Sequence, residues 1–282
     1  MKLVDTKDLK SLPFWECQFE SGRGHQKPTM SKFFFTFDKT VKAQALKKKF
    51  LKKYNHFPLT KADTIIVGGG DGFMLNTLKK LVKYKKSFFG INCGTFGFLM
   101  NQNKKTDLER RIKNSKKISL NPLEIKIKSK NKTKKFLAIN ELSLFRQSKQ
   151  TVSLLVKLNN KILLKKLIGD GLIVCTPAGS TAYNLSVNGP ILSLNSSQLA
   201  ITPISPFRPR RWKGKTVKKN NIINITNLNT KKRPIAAVAD NIEIRDVKKV
   251  QIKISKHLNF SLLYDKNKSL DKRIKFEQLI KK

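Results

Sequence analysis

Apolar and polar positions change their period along this chain. FFFTF at Phe33–Phe37 predicts a strand, and Val41, Ala45, Leu46, Phe50 and Leu51 recur at helical spacing over 41–54. Within DTIIVGGGDGFML, β-branched Ile65, Ile66 and Val67 form a short buried strand that stops at three glycines, Asp71 and a fourth glycine. Phe73, Met74, Leu75, Leu78, Leu81 and Val82 then predict a helix over about 73–86, and SFFGINCGTFGFLM predicts a third strand running into Gly94 and Gly97. A further helix is expected at about 105–114. Strand and helix thus alternate as in a parallel α/β sheet, where ligands bind at the carboxyl ends of strands.

From about Ile118 the pattern changes to short strands, expected at 118–128, 135–145, 152–158, 161–167, 171–175, 221–226, 235–239 and 249–254. Turn signals recur at SKNKTKK, Asn159-Asn160 and NLNTKKRP, as in an antiparallel β-rich domain. The final SLDKRIKFEQLIKK reads as a helix with Leu270, Ile274 and Leu279 or Ile280 on one face. Residues 1–29 hold Pro13, Pro28, Gly22 and Gly24 with scattered apolar positions, so the folded part, and the natural start of translation, is expected at Met30. The fold class is therefore α/β plus all-β. The expected organisation is an extension at 1–29, an α/β domain at 30–117, a β-rich domain at 118–255 and a C-terminal segment at 256–282 that packs back on the first domain.

Composition alters this picture in one respect. With 60 Lys and Arg against 18 Asp and Glu, the net charge of +42 suggests a nucleic-acid or anionic-membrane partner. The lysines, however, run from end to end and fall on the polar sides of amphipathic segments, with no single basic block, which reads as solvated faces. Cys17, Cys93 and Cys175 form no CxxC, and the three histidines are isolated, so neither a zinc site nor a Ser/His/Asp arrangement is supported. No apolar run reaches the roughly 18 residues of a membrane span, and a cytoplasmic location is expected.

The candidate chemistry lies in two stretches. The glycines at 68, 69, 70 and 72 let the main chain approach a ligand and take positive φ, and the helix start behind them favours anions. The loop has no Gly-Lys-Ser/Thr ending and lacks the last glycine of the dinucleotide fingerprint. A carboxylate at position 71 beside phosphates needs a reason: it binds a metal, accepts a proton, or merely caps the helix. The second stretch, IGDGLIVCTPAGSTAYNLSVNGPIL at 168–192, reads as a strand breaking into a loop with a Ser or Thr cap, and its hydroxyls around Tyr183 form either a ligand lining or a capped helix with a core tyrosine.

Together these motifs resemble the NAD kinase family, in its alphaproteobacterial form. The resemblance is carried by Gly69-Gly70-Asp71-Gly72, the second glycine turn at Gly90–Leu99, Asn140-Glu141, Asp170-Gly171, the element Thr176–Pro190, and the stretches SPFRPRRW and AAVAD. It covers the chain from about Lys32 onward. GGDG alone is shared with phosphofructokinases and with diacylglycerol and sphingosine kinases; its joint occurrence with TPAGSTAY and the upstream Asn-Glu is more particular. Phe73 departs from the polar residue that many members of the superfamily carry there.

The resemblance implies transfer of a phosphoryl group from ATP, or polyphosphate, with Mg²⁺ to the 2′-hydroxyl of the adenosine ribose of NAD. It implies Asp71 as general base, the glycine-loop amides on phosphates, and Gly72 against NAD beside the base. It further implies Asn140 and Glu141 orienting the dinucleotide, Asp170 accepting hydrogen bonds from it, Ala178 leaving room for a flat ring, and Thr181, Ala182, Tyr183, Asn184, Leu185 and Ser186 lining the pocket. Asn241 is a further candidate, and homo-oligomers are common in the resembled family. A diacylglycerol-kinase-like lipid kinase and a basic nucleic-acid-binding protein without catalysis are the alternatives.

Overall fold

The computed structural model describes residues 31–95, 97–130 and 132–266; the expected N-terminal extension and final helix lie outside them. The elements run β1 (Phe33–Phe37), α1 (Val41–Lys53), β2 (Thr64–Gly69), α2 (Asp71–Leu81), β3 (Ser87–Asn92), α3 (Leu108–Lys113) and β4 (Lys116–Leu120). There follow β5 (Leu123–Lys128), β6 (Thr133–Ala138), β7 (Glu141–Arg146), β8 (Val152–Leu158), β9 (Lys161–Gly169), β10 (Gly171–Cys175) and a short α4 (Tyr183–Ser186). The remaining strands are β11 (Gln198–Ile204), β12 (Lys215–Lys218), β13 (Ile223–Asn227), β14 (Ile235–Ala239), β15 (Ile242–Ile244), β16 (Lys249–Ile254) and β17 (Phe260–Tyr264).

Three sheets result. The first has the order β1-β2-β3-β17-β4, parallel except where β4 meets β17. Its strands are covered on both faces, so successive residues of β2 enter different cores: Ile65 and Val67 pack with Met74 and Leu78 of α2, and Ile66 with Leu46 of α1 and Leu108 of α3. The other two sheets are antiparallel and six-stranded, in the orders β12-β11-β10-β7-β14-β15 and β6-β5-β16-β13-β8-β9. Their inner faces meet in one apolar core that includes Ile125, Leu144, Leu154, Leu172, Ile201 and Ile225. Both fold classes expected from the sequence are present.

Several local expectations shift. The single strand expected at 118–128 is two strands, because Asn121-Pro122 interrupts it: proline cannot donate to a ladder, and the Asn121 amide instead donates to Ser255 O and Leu258 O. The chain changes sheet at this break, so the boundary drawn at 117/118 falls inside β4. The strand expected at 135–145 also divides, at Ile139-Asn140. Helix α1 turns Ala43 and Leu46 inward and leaves Val41 and Leu51 exposed, a rotation from the expected face. Strands β11, β12, β15 and β17 had no counterpart in the sequence reading.

Strand β17 lies between β3 and β4, placing Phe260–Tyr264 in the first sheet. Side chains of that sheet hold it. Buried Asn101 donates to Leu263 O (2.8 Å) and accepts from Asp265 N (3.0 Å). Arg111 pairs with Asp265 through two bonds, Nε–Oδ1 at 3.2 Å and Nη2–Oδ2 at 2.9 Å, with its guanidinium over the Phe89 ring. A bidentate pair of this kind fixes geometry as well as charge.

Candidate active site

The glycine loop begins inside β2. Gly68 and Gly69 are strand residues, and a Cβ there would stand 2.3 Å from Phe37 Cδ1 and 2.9 Å from Phe73 Cδ1, so aromatic packing requires them. None of the glycines at 68, 69, 70 and 72 has positive φ, contrary to expectation; the only described glycine that does is Gly214. A Cβ at Gly70 or Gly72 would meet nothing within 4 Å. The loop is therefore open on the side where α2 starts, with Met74 N to Gly70 O (3.0 Å) as an opening helical bond. The first turn of a helix presents N–H groups without intrahelical partners, a setting that favours anions.

Gly70, with extended ψ, is the N-cap of α2, and Asp71 is the first helical residue. The Asp71 carboxylate reaches away from its own helix: Oδ2 accepts from Phe98 N (2.7 Å) and Oδ1 from Leu99 N (3.0 Å). Gly97 admits it, since a Cβ there would lie 3.1 Å from Asp71 Oδ1. The helix-capping alternative is thereby disfavoured. The carboxylate instead joins the two glycine turns at the carboxyl ends of β2 and β3.

Asn140 and Glu141 stand where β6 gives way to β7. The backbone amides of Ile139, Asn140 and Glu141 leave the ladder and donate to the Asp240 carboxylate at 2.8, 2.9 and 3.3 Å. Asp240 is at a left-handed turn (φ 52°), its side chain 2% exposed, and its Oδ2 is 2.8 Å from Lys79 Nζ on α2. Asn241 donates to Asn76 of the same helix at 3.2 Å. Asn140 Oδ1 and Glu141 Oε2 are enclosed without a hydrogen-bond partner among the described residues. Burial, with the Asp240 charge second, pushes the Glu141 carboxyl up to about 8, and the Lys79 charge acts in the opposite sense.

The Thr176–Pro190 element folds onto this turn. Thr176 N donates to Asn140 O (2.8 Å), its hydroxyl donates to Ile139 O (2.7 Å), and that hydroxyl accepts from Gly179 N (3.2 Å). The expected Ser or Thr helix cap is absent: Ala178 and Ala182 occupy the cap positions, and Thr176 does the local stapling. Ser180 donates to Pro177 O (2.8 Å) and accepts from Leu192 N (3.0 Å). Asn184, fully buried, donates to Ser180 O and Pro190 O and accepts from Thr202 Oγ1 (2.6 Å), so its amide is engaged by protein rather than turned toward a pocket. Ala178 is buried in the core that contains Ile65, Leu120 and Ile139. Thr181 is buried, Ala182 and Leu185 are half-buried, and Ser186 is exposed.

Asp170 and Tyr183 lie elsewhere, at the far end of β7. Asp170 Oδ1 is paired with Arg146 Nε (2.7 Å), and the Tyr183 ring stacks on Phe145 with centroids 5.7 Å apart. Burial, and then the Asp170 charge, raise the Tyr183 phenol. At about 3.3 Å per strand residue, Glu141 and Arg146 are roughly 17 Å apart. The expected pocket residues thus fall into two clusters at opposite ends of one strand. Lys79, Asp240 and Arg146 were missed by sequence reasoning. One apolar strand ending in Asp240 offered a signal, while the two cations carried none against so many others.

Residues 139–264 match the ATP-NAD kinase C-terminal domain family. The chain is 45% identical over 242 residues to an NAD kinase from Zymomonas mobilis subsp. mobilis, covering 85% of this chain and 94% of that one. This chain belongs to the NAD kinase family. An NAD kinase from Brucella suis is 40% identical over 253 residues, covering 89% of this chain and 98% of the relative. Two solved structures share the fold: yeast NADH kinase complexed with NADH (TM-score 0.72, 17% identity, 89% and 87% coverage) and an NAD kinase from Archaeoglobus fulgidus in complex with ATP (TM-score 0.64, 24% identity, 88% and 96% coverage). Neither the lipid-kinase nor the nucleic-acid-binding alternative is supported by these relatives. Among the described residues, no helix is long and apolar enough to cross a membrane.

Proposed function

We propose that the residues assembled here carry out the family's reaction, moving the terminal phosphoryl group of ATP to the 2′-hydroxyl of the adenosine ribose of NAD to give NADP, with Asp71 taking the hydroxyl proton. The observation that carries this reading is the Asp71 carboxylate, held by Phe98 N and Leu99 N at the open glycine loop. An ionised carboxylate accepts at about four positions, so orientation by backbone amides and proton acceptance are compatible. A positioned base contributes on the order of 10² to 10⁴ in rate. The N–H groups at the start of α2, beside Gly70 and Gly72, suit the donor phosphates and the charge that develops on them.

Among the described residues no three His, Cys, Asp or Glu side chains converge. Mg²⁺ is a hard cation that usually keeps several waters and is held largely through substrate phosphates, so in this reading it would arrive on the nucleotide. When bound, such an ion neutralises charge on the transferring phosphoryl group. Asn140 Oδ1 and Glu141 Oε2 supply enclosed polar atoms for the dinucleotide. Asp170, Tyr183 and their partners Arg146 and Phe145 supply a second polar and aromatic contact, which one molecule reaches only if extended. A homo-oligomer is part of this reading. At a net charge of +42 its assembly would tighten with salt, and light scattering across ionic strength tests that.

The test of the reaction is NADP formation from NAD, ATP and Mg²⁺ by the parent beside Asp71→Asn, both shown to be folded. Loss of at least about 10² in rate by the variant supports the base assignment. Equal activity would leave the kinase and remove the base. No NADP from the parent, with polyphosphate also tried, would overturn the choice of acceptor.

A further inference from the structure

Glu141 and Asp240 are two buried carboxylates that share one cation. Glu141 is 9% exposed and the Asp240 side chain 2%, and the ammonium that pairs with Asp240 is Lys79. Three backbone amides and the ammonium converge on the Asp240 oxygens. By contrast, Glu141 Oε2 has no hydrogen-bond partner among the described residues. Two ionised carboxylates against one ammonium would leave a net negative charge shut away from water, and such a site binds a proton instead. The proton belongs on the carboxyl with the fewest donors, which is Glu141.

We propose that the Lys79–Asp240 pair is a positioning device: it locks the Asn140-Glu141 turn against the helix that opens with Asp71 and leaves Glu141 to meet the dinucleotide as a neutral acid that donates a hydrogen bond. The proposal rests on the kinase reading above. The ligand atom it addresses is a neutral acceptor, a ribose hydroxyl or a ring nitrogen, and a neutral Glu141 avoids repelling the pyrophosphate. The groups that face Glu141 are Asp240 from the turn after β14, Lys79 from α2 and Cys175 from β10, the last a thiol pushed up to about 12 and so uncharged. Burial and the Asp240 charge hold Glu141 protonated up to about 8. The sign for folding follows: a carboxyl raised in the folded state contributes stability that is full below its ordinary range and is lost as pH rises through about 8.

The experiment has a ligand-free arm and a binding arm. Infrared difference spectra of the parent and Glu141→Gln, without ligand, read the protonated carboxyl directly. The expected result is a band in the parent at about pH 7 that disappears near the pH where Glu141 titrates and is missing in the variant; its absence from the parent would overturn the proposal. NAD binding is then titrated from about pH 7 to about pH 9. Parent affinity is expected to fall about tenfold per pH unit above the titration, and Glu141→Gln to lose that dependence and bind more tightly than the parent at the alkaline end. An identical alkaline loss in both proteins would overturn it.

For the lock, Lys79→Met is expected to raise KM for NAD about tenfold with KM for ATP within about twofold, a loss of roughly 1.4 kcal/mol of binding, and Lys79→Arg to restore it. Equal rises in both KM values, or no rescue, would make the pair merely structural and overturn the positioning role. A parent that binds no NAD at all would overturn the kinase reading, and the ligand-free spectra keep that failure distinct from a wrong protonation state.

Discussion

The loop around Asp71 and the Thr176–Pro190 element are both rich in glycine and polar side chains, and they use the glycines in opposite ways. At Gly70 and Gly72 a side chain would meet empty space, so the backbone is left open. At Gly179 a Cβ would come within 2.2 Å of Asn140 O, and at Gly189 within 2.2 Å of Asn184 Oδ1, so there the missing side chain lets protein close on protein. Polar groups bond to the chain in both regions: Thr176, Ser180 and Asn184 inside the closed element, and the Asp71 carboxylate to Phe98 N and Leu99 N at the open loop. What separates the two regions is therefore the openness of the backbone around a polar residue, not whether its hydrogen bonds are made.

The strongest way to sharpen that contrast is Asp71→Asn, which should lose about 10² to 10⁴ in rate, about 3 to 5 kcal/mol of barrier, with a smaller loss of about 1 to 3 kcal/mol in stability because an asparagine accepts from only one of Phe98 N and Leu99 N. Asn184→Ala should do the reverse. Buried Ser180 and Thr202 and the exposed Pro190 each lose a bond, at about 1 to 3 kcal/mol for each buried group left unsatisfied, tempered by relaxation to about 3 kcal/mol in all. Thermal denaturation should show this as a fall of roughly 6 to 12 °C, with substrate affinity of the remaining folded protein little changed. A large rise in KM for NAD without a fall in Tm would return Asn184 to the pocket.

A glycine pair separates the two regions next. Gly72→Ala should fold as well as the parent or better, by about 0.5 kcal/mol, yet lose on the order of ten- to a hundredfold in activity as the nucleotide is displaced. Gly189→Ala should cost about 1 to 3 kcal/mol of stability through overpacking against Asn184. Matched melting curves for the two variants would break the contrast. The smallest effect belongs to the surface. Asp107 caps α3 by accepting from Arg110 N, and its bond to Lys53, with that cap, holds its carboxyl down to about 2. Asp107→Ala should cost about 1 kcal/mol. Because the folded value is depressed, that contribution is present above the ordinary carboxylate range and disappears as pH falls toward about 2, which acid titration of both proteins would show.

The parts that were legible share a property. Strands at 152–158, 171–175, 235–239 and 249–254 were expected with the bounds they have, and β1 likewise, because a strand buried on one or both faces writes its environment into consecutive side chains. The α1 face was misread because Val41 and Leu51 are apolar but exposed, and periodicity cannot tell which of two overlapping stripes meets the sheet. Lys79 was invisible for a compositional reason: among 60 basic residues, one that reaches a buried carboxylate looks like the rest. Arg146 was hidden in the same way beside Asp170.

Local chemistry was in the sequence alone: the order of glycines and aspartate at the first turn, the alternation of strand and helix before Ile118, the short strands after it, and the motifs that resemble one kinase family. Each depends on neighbours within a few positions. Tertiary structure decided where β17 inserts, at which proline the chain changes sheet, which glycines stand open and which face protein, and which of two buried carboxyls is left with an oxygen lacking a hydrogen-bond partner among the described residues. Those outcomes depend on partners brought together from far apart, as Lys79, Glu141 and Asp240 are, and on the water they exclude when they meet.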